Sequence, residues 1–135
     1  MESELVGWTI LIVDDDADNL GVVAEFLQFL GAAVYTAQDG VEGLAKLEKC
    51  DPTVILLDLS MPNMDGWQMF KKLRADPRWE SVPVIALTAH AMVQDRDRVQ
   101  AEGFDGYITK PFMLTTLLAD LKEWVAKAAG GLQGT

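Results

Sequence analysis

Short apolar runs alternate with stretches of helical periodicity along this chain. The runs are rich in β-branched residues and leucine and end in turn or charged residues, which predicts strands. The five predicted strands are 8–13, 33–37, 54–57, 83–87 and 106–109. Between them, apolar residues recur as on one face of a helix. Strands that alternate with helices form βαβ units. The pattern therefore predicts one α/β domain with a five-stranded parallel sheet, doubly wound, with five helices on its two faces.

Polar residues and glycine mark where several of these helices begin and end. Asp16 and Asp18 are expected at the start of the first helix, which Gly31 ends. Asp65 can cap the third helix. The predicted fourth helix, 91–102, has a thin apolar stripe and many charges. Such a helix is weakly anchored, which suits an interaction surface or a mobile element.

Composition narrows the class of protein. The 135 residues are half apolar, enough for one domain with a real core. We place that core at about 8–128 and expect 129–135, which contains three glycines, to be a flexible tail. A net charge of −10 and a pI near 4.3 argue against nucleic acid or an anionic membrane as a direct partner.

The cysteine content and the absence of targeting signals bear on where the protein is located. Cys50 is the single cysteine, which excludes an internal disulfide and a cysteine-built zinc site. No apolar run is long enough for membrane insertion, and the first residues lack the basic start of a signal peptide. A cytoplasmic location is therefore expected.

Residues able to do polar chemistry follow four of the five predicted strands. The central run 54–57 ends in Asp58, at the sheet edge where open α/β sheets bind ligands. Taken alone, Asp58 could equally cap a turn. The other strand ends, however, bring the same edge further polar groups, namely Asp14, Asp15, Thr88 and Lys110.

The charges expected at this edge define a chemistry. Carboxylates brought close together repel one another and need a counter-cation, of which Lys110 supplies one. The remaining negative charge in an all-oxygen pocket favours Mg²⁺. An aspartate can act as a nucleophile that forms an aspartyl-phosphate. Mg²⁺, Lys110 and the Thr88 hydroxyl could then bind the phosphoryl oxygens during transfer.

Four motifs, in order, carry a family resemblance. They are Val13-Asp14-Asp15; Asp58 with Met61-Pro62 and Asp65-Gly66; Leu87-Thr88-Ala89; and Tyr107-Ile108-Thr109-Lys110-Pro111-Phe112. From about Thr9 to Ala128 the chain resembles the receiver domain of two-component response regulators, the CheY-like family. The resemblance implies the flavodoxin-like strand order 2-1-3-4-5.

The resemblance also implies roles for the acidic residues. Asp58 would accept a phosphoryl group from a histidine kinase or a phosphotransfer protein. Asp15 and Asp58 would bind Mg²⁺ directly, together with the backbone carbonyl of Ser60, and Asp14 would act through water. The family pattern is a phosphoacceptor with self-catalysed transfer and autodephosphorylation, not an enzyme that acts on a separate substrate.

Further roles implied by the resemblance concern the phosphoryl group and the switch. Lys110 and Thr88 would contact the phosphoryl group, and Thr88 and Tyr107 would move inward after phosphorylation. The fourth helix, fifth strand and last helix would then present a changed surface to a downstream protein, or form a phosphorylation-dependent dimer. Lys110-Pro111 resembles the family's cis peptide bond.

Other interpretations of the sequence remain open. The chain could be a binding or dimerisation module that uses the fold without phosphate, or a receiver from a larger hybrid kinase or regulator. A calcium-binding loop that begins at Asp14 would need glycine at its sixth position, where this chain has Asn19, which argues against a calcium site. An aspartate-based phosphohydrolase would usually have an acid where Ser60 stands. His90 could tune the site or have no role, and Trp67 and Trp124 fit the hydrophobic core.

Overall fold

A computed structural model describes residues 4–89, 93–110 and 113–133. Its five strands form one parallel sheet in the order β2-β1-β3-β4-β5, which confirms the predicted topology. The strands are β1 Thr9–Val13, β2 Ala33–Ala37, β3 Val54–Asp58, β4 Val84–Thr88 and β5 Gly106–Thr109. The helices are α1 Ala17–Phe29, α2 Gly40–Leu47, α3 Gly66–Ala75, α4 Val93–Glu102 and α5 Leu114–Gln133.

Aspartates cap the first three helices. The side chain of Asp16 accepts a hydrogen bond from the Asn19 amide at 3.1 Å. Asp39 caps α2 in the same way. Asp65 forms a reciprocal capping box with Gln68, which satisfies two backbone amides at the start of α3. These caps fix the first turn of each helix just beyond the carboxyl edge of the sheet.

The hydrophobic core lies on both faces of the sheet. On one face, buried residues of α1 and α5 pack against the strands. On the other face, buried residues of α2, α3 and α4 do the same. Every residue of β3 is buried, as its continuous apolar run predicts. The central strand is thereby fixed on both sides, and Asp58 at its end is held in place.

The last two helices differ in how well the sequence predicts them. In α4, Val99 is the one buried residue among the side chains described there, which confirms the thin apolar stripe. Helix α5, in contrast, runs on to Gln133, beyond the residue near 128 where the sequence predicts the core to end. His90, Pro111 and Phe112 lie outside the described residues, and so does the predicted cis peptide bond.

Candidate functional site

Three polar residues are buried in the described part of the chain, and all three lie at the carboxyl edge of the sheet. Asp14 is 0% exposed, and Asp58 and Thr88 are each 5% exposed. Asp14 follows β1, while Asp58 and Thr88 end β3 and β4. Buried polar groups are costly unless they are paired, so their concentration at one edge marks a site rather than chance. The sequence prediction that these strand ends converge is confirmed.

The acidic residues form a cluster that can hold a metal ion. Carboxylate oxygens of Asp14, Asp15 and Asp58 lie within 4.8 Å of one another. Asp15 is exposed, whereas the other two are buried. Asp14 is held firmly, because its Oδ1 accepts from the Asp16 amide at 3.0 Å and its Oδ2 accepts from Asn19 Nδ2 at 2.9 Å. An all-carboxylate donor set of this kind suits a hard cation such as Mg²⁺.

Lys110 supplies the positive charge of the site. Its ammonium Nζ lies 2.7 Å from Oδ2 of Asp14 and 3.3 Å from Oδ2 of Asp58. The backbone explains this position, since the Lys110 amide donates to the Thr88 carbonyl at 2.7 Å and so extends the pairing of β5 with β4. One ammonium therefore bridges two carboxylates that come from different strands.

The three charged groups shift one another's pKa values. Burial raises the pKa of Asp58 to about 6, and the negative charge of Asp14 adds to this rise against the opposing effect of Lys110. Burial also acts to raise the pKa of Asp14, but hydrogen bonds from Lys110, Asp16 and Asn19 outweigh it, so that the pKa is lowered. For Lys110, burial opposes the charged form, yet the two carboxylates raise its pKa. Of the two buried carboxyl groups, Asp58 therefore ionises less readily than Asp14.

The loop after β3 is shaped by close backbone packing. The Ser60 amide donates to Oδ1 of Asp58 at 3.2 Å, and the Gly66 amide donates to the Leu59 carbonyl at 3.2 Å. A β-carbon on Gly66 would overlap the carbonyl oxygen of Asp58 and the α-carbon of Leu59. Glycine is therefore required at the start of α3 for that helix to pack this closely against the backbone at the end of β3.

A cleft of about 340 Å³ opens beside Asp58. Its walls combine site residues with two side chains from α3 and α4: Asp58, Leu59, Ser60, Trp67, Thr88, Ala89, Arg98 and Lys110. Trp67 packs against the core, as predicted, but it also lines this cleft. Arg98 was not singled out from the sequence, because a charge on an exposed helix face gives no signal of what lies across from it.

Asn19 is a second residue that sequence reasoning missed. From the sequence, Asn19 was considered only as the residue that occupies the glycine position of a calcium-binding loop. In the structure, this stretch is not a loop, because Asp16 caps α1 and the helix begins at Ala17. There the Asn19 side chain supports Asp14, while Asp16 acts as the helix cap, as expected. The signal available was its position at the start of a helix that follows the acidic pair.

Tyr107 lies on β5 at the border between core and surface. It is half-buried, its ring centroid lies 5.8 Å from that of Trp124, and the Arg96 guanidinium lies 5.4 Å from its ring centre. This agrees with a half-buried strand tyrosine. Both ring neighbours belong to helices, α5 and α4, that flank β5.

Comparison with known proteins now identifies the class. Residues 10–122 match the family model of the response regulator receiver domain. The chain therefore belongs to the receiver domains of two-component response regulators. Members of this family are signalling phosphoacceptors that bind Mg²⁺ at an acidic site and interact with histidine kinases and downstream effectors.

Individual relatives support the same class. The chain is 38% identical over 113 residues to the transcriptional regulator RpaA of Synechocystis, covering 84% of this chain and 47% of RpaA. It thus spans about half the length of the transcriptional regulators that it matches. The solved structure of the chemotaxis regulator CheY4 of Vibrio cholerae has a TM-score of 0.82 at 34% identity, covering 87% of this chain and 98% of CheY4.

A further solved structure bears on the metal. The receiver domain of the sensor histidine kinase PA1611 of Pseudomonas aeruginosa has a TM-score of 0.79 at 33% identity, covering 90% of this chain and 99% of that domain. It was solved with a magnesium ion coordinated in its active-site cleft.

No helix among the described residues of this chain is long and apolar enough to span a membrane.

Proposed function

We propose that this domain carries a signal by accepting a phosphoryl group on Asp58 from the phosphohistidine of a histidine kinase or a phosphotransfer protein. The observation that carries the proposal is the position of Asp58. Its carboxylate ends the central strand, faces an open cleft and has the Lys110 ammonium 3.3 Å away. A nucleophile and a cation are thus placed together where an incoming phosphoryl group can reach both.

The transfer balances without any further reactant. A carboxylate oxygen of Asp58 forms a bond to phosphorus while the phosphorus–nitrogen bond of phosphohistidine breaks, and the departing imidazole keeps the electron pair and takes up a proton from water. The Asp58 nucleophile must be ionised, which its pKa of about 6 allows at neutral pH. Lys110 and the Thr88 hydroxyl would bind oxygens of the phosphoryl group and stabilise the charge that it carries.

The residues present fit a magnesium ion. Three carboxylates and one ammonium leave an excess of negative charge in a mostly buried site, which a divalent cation would neutralise. Asp15, Asp58 and the backbone carbonyl of Ser60 would hold the ion, with Asp14 acting through water. When bound, Mg²⁺ supplies positive charge to the oxygens of the incoming phosphoryl group.

The output would be a change in surface. Thr88 ends β4 beside β5, which carries Tyr107, and the inward movement of both residues would alter the faces of α4, β5 and α5. Helix α4 is the element best suited to respond, because Val99 is its single buried side chain among those described. A downstream protein would bind the altered surface with a different affinity, as in any population shift between two states.

The test is the intact mass of the protein after incubation with phosphoramidate. We expect one labile phosphoryl adduct that requires both Mg²⁺ and Asp58. Asp58→Asn, which keeps the shape of the side chain, should abolish the adduct, and chelation of Mg²⁺ should do the same. An adduct that persists in Asp58→Asn would contradict the proposal, and so would the absence of any adduct with both this donor and candidate kinases.

A further inference from the structure

Arg98 is a second cation in the wall of the phosphoacceptor cleft. It comes from α4 and lines the cleft together with Asp58, Thr88 and Lys110. Among the side chains that the structure describes, Arg98 forms no ion pair with a carboxylate. Its charge is thus available to an anion that enters the cleft.

Aromatic packing holds Arg98 in this position. Its guanidinium carbon lies over the Trp67 ring, 3.8 Å from the ring centre. Trp67 is itself fixed by an edge-on contact with Phe104, with ring centroids 5.6 Å apart and planes at 89°. Phe104 stacks on Phe70, a buried residue of α3, at 3.9 Å. A guanidinium supported by a chain of rings that reaches the core loses less conformational entropy on binding a ligand than a free surface arginine does.

The negative charge of the domain opposes the binding of an anionic phosphodonor, and Arg98 can offset this repulsion locally. With a net charge of −10, the protein repels anionic phosphodonors, and the acidic cluster adds to that repulsion at short range. Lys110 is already engaged with two carboxylates. Of the two cations in the cleft wall, Arg98 is therefore the one without a carboxylate partner among the described residues, and its planar group can donate two parallel hydrogen bonds to phosphate oxygens.

We propose that Arg98, held by Trp67, binds the anionic phosphodonor at the mouth of the cleft and orients its phosphoryl group toward Asp58. This inference rests on the proposed function of Asp58 as the phosphoacceptor. It assigns to Arg98 a role in donor binding, and to Trp67 the role of a positioning residue that acts through Arg98. Neither residue belongs to the acidic cluster, so both roles leave the position of Asp14, Asp15 and Asp58 as it is.

The experiment measures the rate of adduct formation against the concentration of acetyl phosphate, a dianionic donor, at saturating Mg²⁺. For Arg98→Gln we expect the half-saturating donor concentration to rise about three- to tenfold, the loss expected for one charge-assisted contact at an exposed site. Arg98→Lys should recover part of the loss. Trp67→Leu, which keeps an apolar contact with Phe104 but removes the flat ring, should give an intermediate rise.

The matched control is Arg78→Gln. Arg78 also lies over a tryptophan, with its guanidinium carbon 4.0 Å from the centre of the Trp79 ring, but it is not part of the cleft wall. Its loss removes the same charge and the same kind of stack, and in addition the ion pairs of Arg78 with Asp76 and Glu48. The donor dependence should stay within about twofold of the unaltered protein, since an exposed charge outside the cleft is screened by salt. Circular dichroism checks that each variant is folded.

The outcomes separate this inference from the proposed function. An equal shift for Arg98→Gln and Arg78→Gln would show only a long-range effect of charge and would overturn the role of Arg98. An unchanged donor dependence in Arg98→Gln, or a fall in maximal rate alone, would do so as well. In each of these cases the adduct on Asp58 still forms and the proposed function stands. Absence of the adduct in the unaltered protein with acetyl phosphate, phosphoramidate and candidate kinases alike would overturn both.

Discussion

At the scale of single residues, the Asp58 carboxyl group works against folding when it is ionised. Its pKa rises from an ordinary value of 3.8 to about 6 in the folded protein, because burial and Asp14 disfavour the charge. Between these two pH values the folded state binds more protons than the unfolded state, so the free energy of unfolding falls as the pH rises. Below 3.8 both states are protonated and the penalty vanishes.

Asp58→Asn should therefore stabilise the Mg²⁺-free protein at neutral pH. We expect the free energy of unfolding to rise by about 1–2 kcal/mol, because the neutral amide avoids the cost of a buried charge. Urea unfolding with EDTA present measures the difference, which should disappear as the pH falls through 6 toward 3.8. A gain that is independent of pH would show that charge is not the cause.

Asp14→Asn should have the opposite effect on stability. The pKa of Asp14 is lowered in the folded protein despite its burial, because it accepts hydrogen bonds from Lys110, Asp16 and Asn19. A lowered pKa contributes stability above 3.8 that is lost as the pH falls below this value. We expect Asp14→Asn to lower the free energy of unfolding at neutral pH by about 1–3 kcal/mol in the same urea measurement. Equal signs for the two variants would contradict this account of the pair.

At the scale of elements, replacing glycine by alanine should have opposite effects on stability in α1 and α3. In α1, a β-carbon on Gly21 would meet nothing within 4 Å apart from its chain neighbours and the local helix backbone. In α3, a β-carbon on Gly66 would overlap the backbone of Asp58 and Leu59. Gly21→Ala should raise the free energy of unfolding by about 0.5–1 kcal/mol, because alanine loses less backbone entropy in a helix.

Gly66→Ala should lower the free energy of unfolding by about 1–3 kcal/mol, the usual cost of overpacking against atoms that cannot move aside. Thermal and urea unfolding of the two glycine variants in parallel measure both effects. A stable Gly66→Ala protein would mean that the loop after β3 can shift away from α3. In that case the backbone of this loop does not fix the position of Asp58.

Elements that follow from local pattern were predictable, while contacts between elements were not. The apolar run 54–57 predicts a doubly buried strand, and parallel pairing then places Asp58 next to the other strand ends. The stacking of Arg98 on Trp67 depends on how α4 approaches α3, which no periodicity encodes. The end of α5 also escaped prediction, since its glycines favour an earlier stop than Gln133.

At the scale of the whole molecule, the net charge of −10 is unevenly placed. Part of it is concentrated in the acidic cluster at one edge of the sheet, where burial makes repulsion stronger than on the open surface. Two kinds of cation effect should therefore be separable. Monovalent salt screens the overall repulsion, and a divalent ion in the cluster removes the local excess of negative charge.

Mg²⁺ should raise the thermal unfolding midpoint well beyond the effect of NaCl at equal ionic strength. At about a hundredfold excess over its Kd, a ligand that binds only the folded state contributes about 2.7 kcal/mol, which corresponds to about 9 °C for a domain of this size. Differential scanning calorimetry in matched salts measures the difference. Because Asp15 is the exposed member of the cluster, Asp15→Asn should remove most of the Mg²⁺ response while the response to NaCl remains. If Asp15→Asn responds to Mg²⁺ as the unaltered protein does, the ion acts elsewhere on the acidic surface.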